Sequence, residues 1–241
     1  MQQIERGHQH PLTQMIAEIN SIFAEIGFNY ASGPEAETEV YNFDKLNVAK
    51  DHPSRDMQDT FWFKPKDVSE PMVLRTHTSP VQARYMENHK PPIRMIVPGK
   101  VFRNEATDAT HEAQFYQLEG LHIDKGIHLG HLKGTLEYFF SKFFSGRTEV
   151  RFRPSFFPFV EPGVEVDMKL LDGDSKLAGK WIEVMGAGMV HPNVLRNCGI
   201  DPAVYSGYAF GIGIDRLGVM RHGIEDIRDY YTGDLRFVNQ F

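Results

Sequence analysis

The chain has 241 residues and a single cysteine, Cys198. No internal disulfide can form, so packing alone must hold the fold, as suits a reducing compartment. No run of about eighteen apolar residues exists, so no membrane span is expected. Met1 to His10 is polar and lacks the apolar stretch of a secretory leader. Positive charge is also scarce: 26 Lys and Arg stand against 32 Asp and Glu, a net charge of −6. That argues against a chain whose main task is gripping nucleic acid by a basic face. There is no Gly-x4-Gly-Lys-Ser/Thr loop, which argues against a P-loop site. Gly207, Gly211 and Gly213 lack the order and the preceding βα unit of a dinucleotide fold. His128 and His131 have i,i+3 spacing but no third ligand, so a structural zinc site is not expected.

What remains is an ordinary globular composition, 41% hydrophobic and 24% charged. Pro11 to Gly27 reads as a helix, with Ile16, Ile19, Phe23 and Ile26 at helical spacing and Gly27 as its stop. Phe28–Ala31, Thr60–Phe63 and Val73–Thr76 read as short strands, and Ser79-Pro80 opens a helix to about Asn88. Residues 35–59 read as loop with at most a short helix. Strands are predicted at 94–97 and 100–104, on either side of Pro98-Gly99, and at 114–123. Leu129–Phe144 is a helix with a wide apolar face. Strands follow at 150–153, 165–170 and 180–185, with turns at Lys64–Asp67 and Gly173–Ser175. Pro192–Cys198 and Ile214–Arg221 read as helices. Strands outnumber helices and do not alternate with them. The expected fold class is therefore α+β, a mostly antiparallel β-sheet flanked by helices, in one domain spanning 1–241.

The chemistry concentrates in two segments. Val101 to Glu105 is a strand end carrying Arg103 and Glu105 before a polar loop. Gly207 to Leu217 is a glycine-punctuated strand running into a helix that carries Arg216 near its N-terminus. Arginine keeps its charge and pairs bidentately with phosphate or carboxylate, so two of them in these settings suit a nucleoside triphosphate. Taken singly, each also fits a surface salt bridge. His77 and Ser79 are expected to share a strand face, as are Gln117 and Glu119. Phe157 and Phe159 alternate and fit either an aromatic wall or core packing, and Glu161 beside them is a candidate Mg²⁺ carboxylate.

These segments resemble motifs 2 and 3 of the class II aminoacyl-tRNA synthetases. Nearly the whole chain, from His10-Pro11-Leu12-Thr13 onward, resembles the catalytic module of the bacterial-type phenylalanyl-tRNA synthetase alpha-subunit family. The specific runs are Asn42–Asn47, Asp51–Pro53, Asp59–Trp62, Arg75–Pro80, Phe102–Gly120, Gly186–Pro192 and Leu235–Phe237. The resemblance implies that the protein activates L-phenylalanine with ATP to phenylalanyl-adenylate. The acyl group would then pass to the 3′ end of tRNA(Phe). It implies that Arg103 holds the α-phosphate and substrate carboxylate, and that Arg216 binds the γ-phosphate. Phe115 and Arg216 would flank the adenine, with Glu105 on its amino group. His77, Ser79, Gln117 and Glu119 would line the amino end of the phenylalanine pocket. Phe157, Phe159, Val160, Ala209 and Gly211 would surround the ring, and Glu161 would help hold Mg²⁺. A beta subunit carrying an editing domain, an α2β2 assembly and a cytoplasmic location are further implications.

Two features depart from the family pattern. Only nine residues precede His10-Pro11, where the family carries a long coiled-coil arm that contacts tRNA. Asp215 stands where motif 3 usually has Glu, which is expected to alter how Arg216 is held. Two alternatives stay open at this level. One is an idle paralogue serving as a binding module, and the other is a phenylalanine-activating ligase with an acceptor other than tRNA.

Overall fold

Apolar spacing and a proline at the first turn place the first helix close to where the sequence predicts it. The computed structural model describes residues 7, 9–55, 59–64, 66, 69–172 and 178–241. In it α1 spans Pro11–Glu25, and the His10 ring accepts from the Leu12 N–H. The buried stripe is Leu12, Met15, Ile19, Ile22 and Phe23, with Ile16 and Ile26 on its margin. Gly27 ends the turn with φ of 79°, which glycine adopts without a Cβ clash.

The remaining elements run β1 (Asn29–Tyr30), β2 (Ala36–Thr38), α2 (Glu39–Asn42), β3 (Met72–Leu74), α3 (Ser79–Asn88), β4 (Ile93–Phe102) and β5 (Gln114–Asp124). Then come α4 (Leu129–Phe143), β6 (Thr148–Phe157), β7 (Val160–Leu170), β8 (Ile182–Val190), α5 (Pro192–Asn197), β9 (Ser206–Gly213), α6 (Ile214–His222) and α7 (Leu235–Val238). Short 3₁₀ turns occur at Asp44–Leu46, Pro53–Arg55 and Ile227–Tyr230. Seven strands form one sheet in the order β1-β4-β5-β9-β8-β7-β6, and β2 pairs with β3 apart from it. Only the β1–β4 pairing in the large sheet is parallel. The α+β expectation holds.

Several strands differ from their predicted extents. The stretches at 94–97 and 100–104 are one strand, β4. The Ala31 N–H donates to Ile96 O, so the polar groups of Ile96 face β1. Pro98, two residues on, faces the same side, beyond the last paired residue of β1, where no ladder donor is needed. Strand β6 continues through Pro154, which an edge strand tolerates. Trp62 makes a single bridge to Val73 rather than a strand. The turn at 173–175 and part of the 64–67 turn lie outside the described residues.

Period-two alternation sends the two faces of the sheet to different tasks. Leu118, Tyr208, Phe210 and Ile212 face a core built with α1, α4 and α6. There Phe23 stacks on Phe139 and Phe210, at 4.9 and 5.7 Å between ring centroids. Leu121, Ile123 and Ala209 face a second cluster under α3 and α5. Gly120 pairs with Phe210, and a Cβ on it would meet the Phe210 ring at 2.1 Å. Gly120→Ala is therefore expected to destabilise by about 1–3 kcal/mol. Gly134, inside α4 with nothing within 4 Å of where a Cβ would stand, is the control. Gly134→Ala should stabilise by about 0.4–1 kcal/mol. Urea unfolding midpoints of the two variants and the parent decide both.

Candidate active site

On the sheet face away from α1 and α4, the odd-numbered residues of β5 and β9 form the floor of a cavity of about 480 Å³. Its polar end is built around Glu119, which is buried. Ser79 Oγ donates to Glu119 at 2.6 Å, Gln82 Nε2 at 2.9 Å and Gln117 Nε2 at 3.0 Å. Burial pushes the Glu119 carboxyl up to about 7, against the pull of the Ser79 hydroxyl. Two buried acceptor-capable atoms beside it, His77 Nδ1 and Gln117 Oε1, have no protein partner. Burial, with the nearby Arg103 charge, pushes His77 down to about 3, so its ring is neutral at pH 7. His77, Gln117 and Glu119 all line this cavity, and a neutral imidazole nitrogen, an amide oxygen and a carboxylate are each hydrogen-bond acceptors.

These groups converge for reasons only partly visible in the sequence. Gln117 and Glu119 share a face of β5, as expected. Gly211 lies opposite Glu119 in β9, and a Cβ there would press Gln117 Nε2 at 3.0 Å and Glu119 Cγ at 3.2 Å. Both side chains therefore lie across a bare stretch of backbone. His77 and Ser79 do not share a strand face. The β2–β3 ladder ends at the Ala36–Leu74 pair, and the chain then turns into α3. The Asn42 side chain bonds Thr76, and Thr78 Oγ1 donates to Val97 O at 3.1 Å, which holds this turn in place. Gln82 escaped the sequence reading. Its i,i+3 spacing from Ser79 on one helix face was the available signal.

The other end is apolar. Phe157 and Phe159 flank the tip of the β6–β7 hairpin with ring centroids 6.1 Å apart and planes 19° from parallel. Phe157 lies on Gly186, where a Cβ would meet its ring at 2.8 Å. Val160, Ala209 and Gly211 line the same space, and Leu46, Val48 and Met86 close its far side.

Arg103 also lines the cavity. Its Nε donates to Thr76 O at 3.2 Å, and its guanidinium stands 5.1 Å from the Phe115 ring centroid. Burial lowers its pKa, yet an arginine remains charged. Glu105 and Asp59 line the cavity as well. Phe115, Arg216 and Glu161 do not line the cavity. Gln117 pairs with Gly213; Phe115 lies two residues before the former and Arg216 three after the latter. Both lie beyond the cavity at that end of the sheet. Arg216 is exposed and donates to Glu183 O at 2.7 Å. Asp215 is buried and bonds elsewhere: it accepts from the Tyr116 N–H at 2.7 Å and from the Tyr231 hydroxyl. Its carboxyl staples β5 to the C-terminal segment, and burial pushes it up to about 6.

Glu161 is exposed at the start of β7. Among the described residues no three His, Cys, Asp or Glu side chains converge on a metal position. The donor set does not form a protein cage for Mg²⁺. An ion arriving with nucleotide phosphates needs no such cage, since Mg²⁺ keeps much of its water.

The sheet is antiparallel but for the β1–β4 pair, and its glycine-bearing strand β9 runs into α6. The solved structure of pyrrolysyl-tRNA synthetase from Desulfitobacterium hafniense superimposes with a TM-score of 0.71. It shares 19% identity and covers 94% of this chain and 75% of that one, a likeness of fold. The family model described as tRNA synthetases class II core domain (F) matches residues 1–241, and the chain belongs to that family. The phenylalanine–tRNA ligase alpha subunit of Alkaliphilus metalliredigens is 57% identical over 98% of this chain and 70% of its own length. The proteins of the same name from Clostridium perfringens and Aliivibrio fischeri are 53% and 52% identical, each matched over 69% of its length.

The buried carboxyl gives this site a pH signature. The folded pKa of Glu119, about 7, exceeds the ordinary 4.5. Its protonated form therefore favours folding below the ordinary value, and that contribution is lost as pH rises through 7. Glu119→Gln lacks this loss. Its stability relative to the parent should rise between pH 5 and pH 8, read from urea melts at both. A pH-independent difference would show that Glu119 titrates normally.

Proposed function

We propose that this protein activates L-phenylalanine with ATP and passes the phenylalanyl group to the 3′ end of tRNA(Phe), as the catalytic alpha chain working with a beta subunit. In this reading 1–241 acts as one catalytic domain, in the cytoplasm and in an α2β2 assembly. The observation that carries it is the two-ended cavity. Acceptors gathered around Glu119 suit an ammonium group, and the Phe157–Phe159 wall suits an aromatic side chain. The names of the relatives point the same way.

Arg103, which lines the same cavity, would hold the substrate carboxylate and the α-phosphate. A carboxylate oxygen attacks the α-phosphorus, the bridging bond to the β-phosphate breaks, and pyrophosphate leaves. The terminal hydroxyl of the tRNA then attacks the carbonyl and releases AMP. This chemistry needs positioning and charge stabilisation more than a protein nucleophile. Phe115 and Arg216 would hold the adenine and the γ-phosphate beyond the cavity, and Glu105 the adenine amino group. Mg²⁺ would enter with the nucleotide and screen its phosphates, with Glu161 the candidate protein ligand. Burying the substrate ring, about 150–250 Å² at about 25 cal/mol per Å², contributes roughly 4–6 kcal/mol before entropy costs.

Phenylalanine-dependent ATP–pyrophosphate exchange, with and without a beta subunit, is the direct test. Arg103→Ala should lower kcat/KM by about 100- to 1,000-fold. Exchange that ignores phenylalanine, or survives Arg103→Ala, would contradict the assignment. Separately, Ala209→Gly should enlarge the ring end and admit p-chlorophenylalanine. If that variant activates the analogue no better than the parent does, Ala209 does not limit the pocket.

A further inference from the structure

Asn47 sits between two cavity-lining residues, Leu46 and Val48. It closes the 3₁₀ turn at Asp44–Leu46 with φ of 61°, a left-handed conformation that asparagine adopts more readily than most residues. Its side chain does not line the cavity. Nδ2 donates to Pro158 O at 2.8 Å, and Oδ1 accepts from Asn193 Nδ2 at 3.0 Å. Pro158 is at the hairpin tip between Phe157 and Phe159. Asn193 belongs to α5, whose Val194 lines the same apolar end. One side chain thus ties together three walls: the turn, the aromatic tip and α5.

The tip has few other holds. Phe156 is 75% exposed. The β6–β7 register breaks between Ser155 and Phe157, and the β7–β8 register breaks between Val160 and Gly163. Phe159 O accepts from the His191 N–H at 2.9 Å, which anchors one side of the tip. Asn47 anchors the other. The turn and α5 have a second tie: Asn197 Nδ2 reaches Asp44 O and Lys45 O, both at 3.3 Å, and Lys45 Nζ reaches Asn197 O at 3.1 Å. Among the described residues, the Asn47–Pro158 bond is the hydrogen bond joining turn to tip.

We infer that Asn47 is a positioning residue: through Pro158 it fixes the Phe157–Phe159 wall against the substrate side chain and so sets side-chain discrimination. The inference rests on the phenylalanine reading above. Other groups near Asn47 serve different ends. Asp44 pairs with Arg55 and Lys45 with Glu87, both away from the tip.

The test uses the chain with its beta partner and three variants. Asn47→Gly keeps the left-handed backbone and deletes both side-chain bonds. It should raise the phenylalanine KM about 5- to 10-fold, the worth of one lost partly buried hydrogen bond. The ATP KM and kcat should stay within about twofold. Discrimination against tyrosine and cyclohexylalanine should narrow, and amides of residues 155–161 should exchange hydrogen faster. Asn47→Asp keeps the acceptor but loses the donor, so it should follow Asn47→Gly. Asn193→Ala removes the α5 bond to Asn47 and an exposed bond from Arg196 within α5, leaves the Asn47–Pro158 bond, and should leave the phenylalanine KM within about twofold of the parent. The inference is overturned by an unchanged phenylalanine KM in Asn47→Gly, by an equal rise in ATP KM, or by an equal effect of Asn193→Ala. A parent without phenylalanine-dependent exchange would instead refute the phenylalanine reading. Tip hydrogen exchange then decides alone: faster in Asn47→Gly upholds the tie, and unaltered overturns it.

Discussion

The register of β5 against β9 is the constraint on which the site depends. Glu119 stands opposite Gly211, and Gly120 opposite Phe210. Because side chains alternate, a one-residue slip of β5 would turn Gln117 and Glu119 into the helical core, and one of β9 would turn the Phe210 ring out of that core. The close fit of Phe210 on Gly120 opposes that slip from one face, and the layering of Gln117 and Glu119 on Gly211 opposes it from the other. Fold and site are fixed by the same pairs. The packing of α1 and α4 behind the sheet thereby fixes the position of groups in front of it.

Electrostatics divides the cavity in a complementary way. One buried carboxyl, Glu119, meets neutral donors on its own side, and Arg103 lines the same cavity without bonding it. Among the described residues, no cationic side chain is hydrogen-bonded to it. A buried carboxylate without a paired charge is costly, and its raised pKa expresses that cost. An incoming ammonium group would supply the missing charge, whereas the same group at the aromatic end would find none. Orientation of a zwitterionic ligand thus follows from where the charges are absent as much as from where they are present. Asp215 is a second buried carboxyl, but it is closed off by Tyr116 and Tyr231 and serves the frame.

Much of this was legible in the sequence because residue type, spacing and family resemblance agreed. The apolar stripes of α1 and α4, the antiparallel sheet and the pairing of Gln117 with Glu119 on one face all followed from period. Proline and glycine were the misleading residues. Pro98, Pro154, Gly186 and Gly188 suggest ends of strands, but in the sheet they sit past a neighbour's end, on an edge, or beneath an overlying side chain. His77 and Ser79 both line the cavity but share no strand face, since β3 stops at Leu74, where its pairing with β2 ends. Gln82 and Asn47 were missed as site residues because their importance lies in contacts with residues tens of positions away. Phe115, Arg216 and Glu161 keep their proposed roles outside the cavity, where composition alone offered no means of placing them.

The bare backbone under the polar end divides the cavity's freedom to evolve. At Ala209 a methyl group faces the ring end, and its loss or enlargement alters only the space available. At Gly211 a Cβ would stand 3.0 Å from Gln117 Nε2 and 3.2 Å from Glu119 Cγ, so a substitution there requires both side chains to shift. The apolar end of the cavity can therefore drift through single substitutions more freely than the polar end, where one change moves two hydrogen-bonded side chains together.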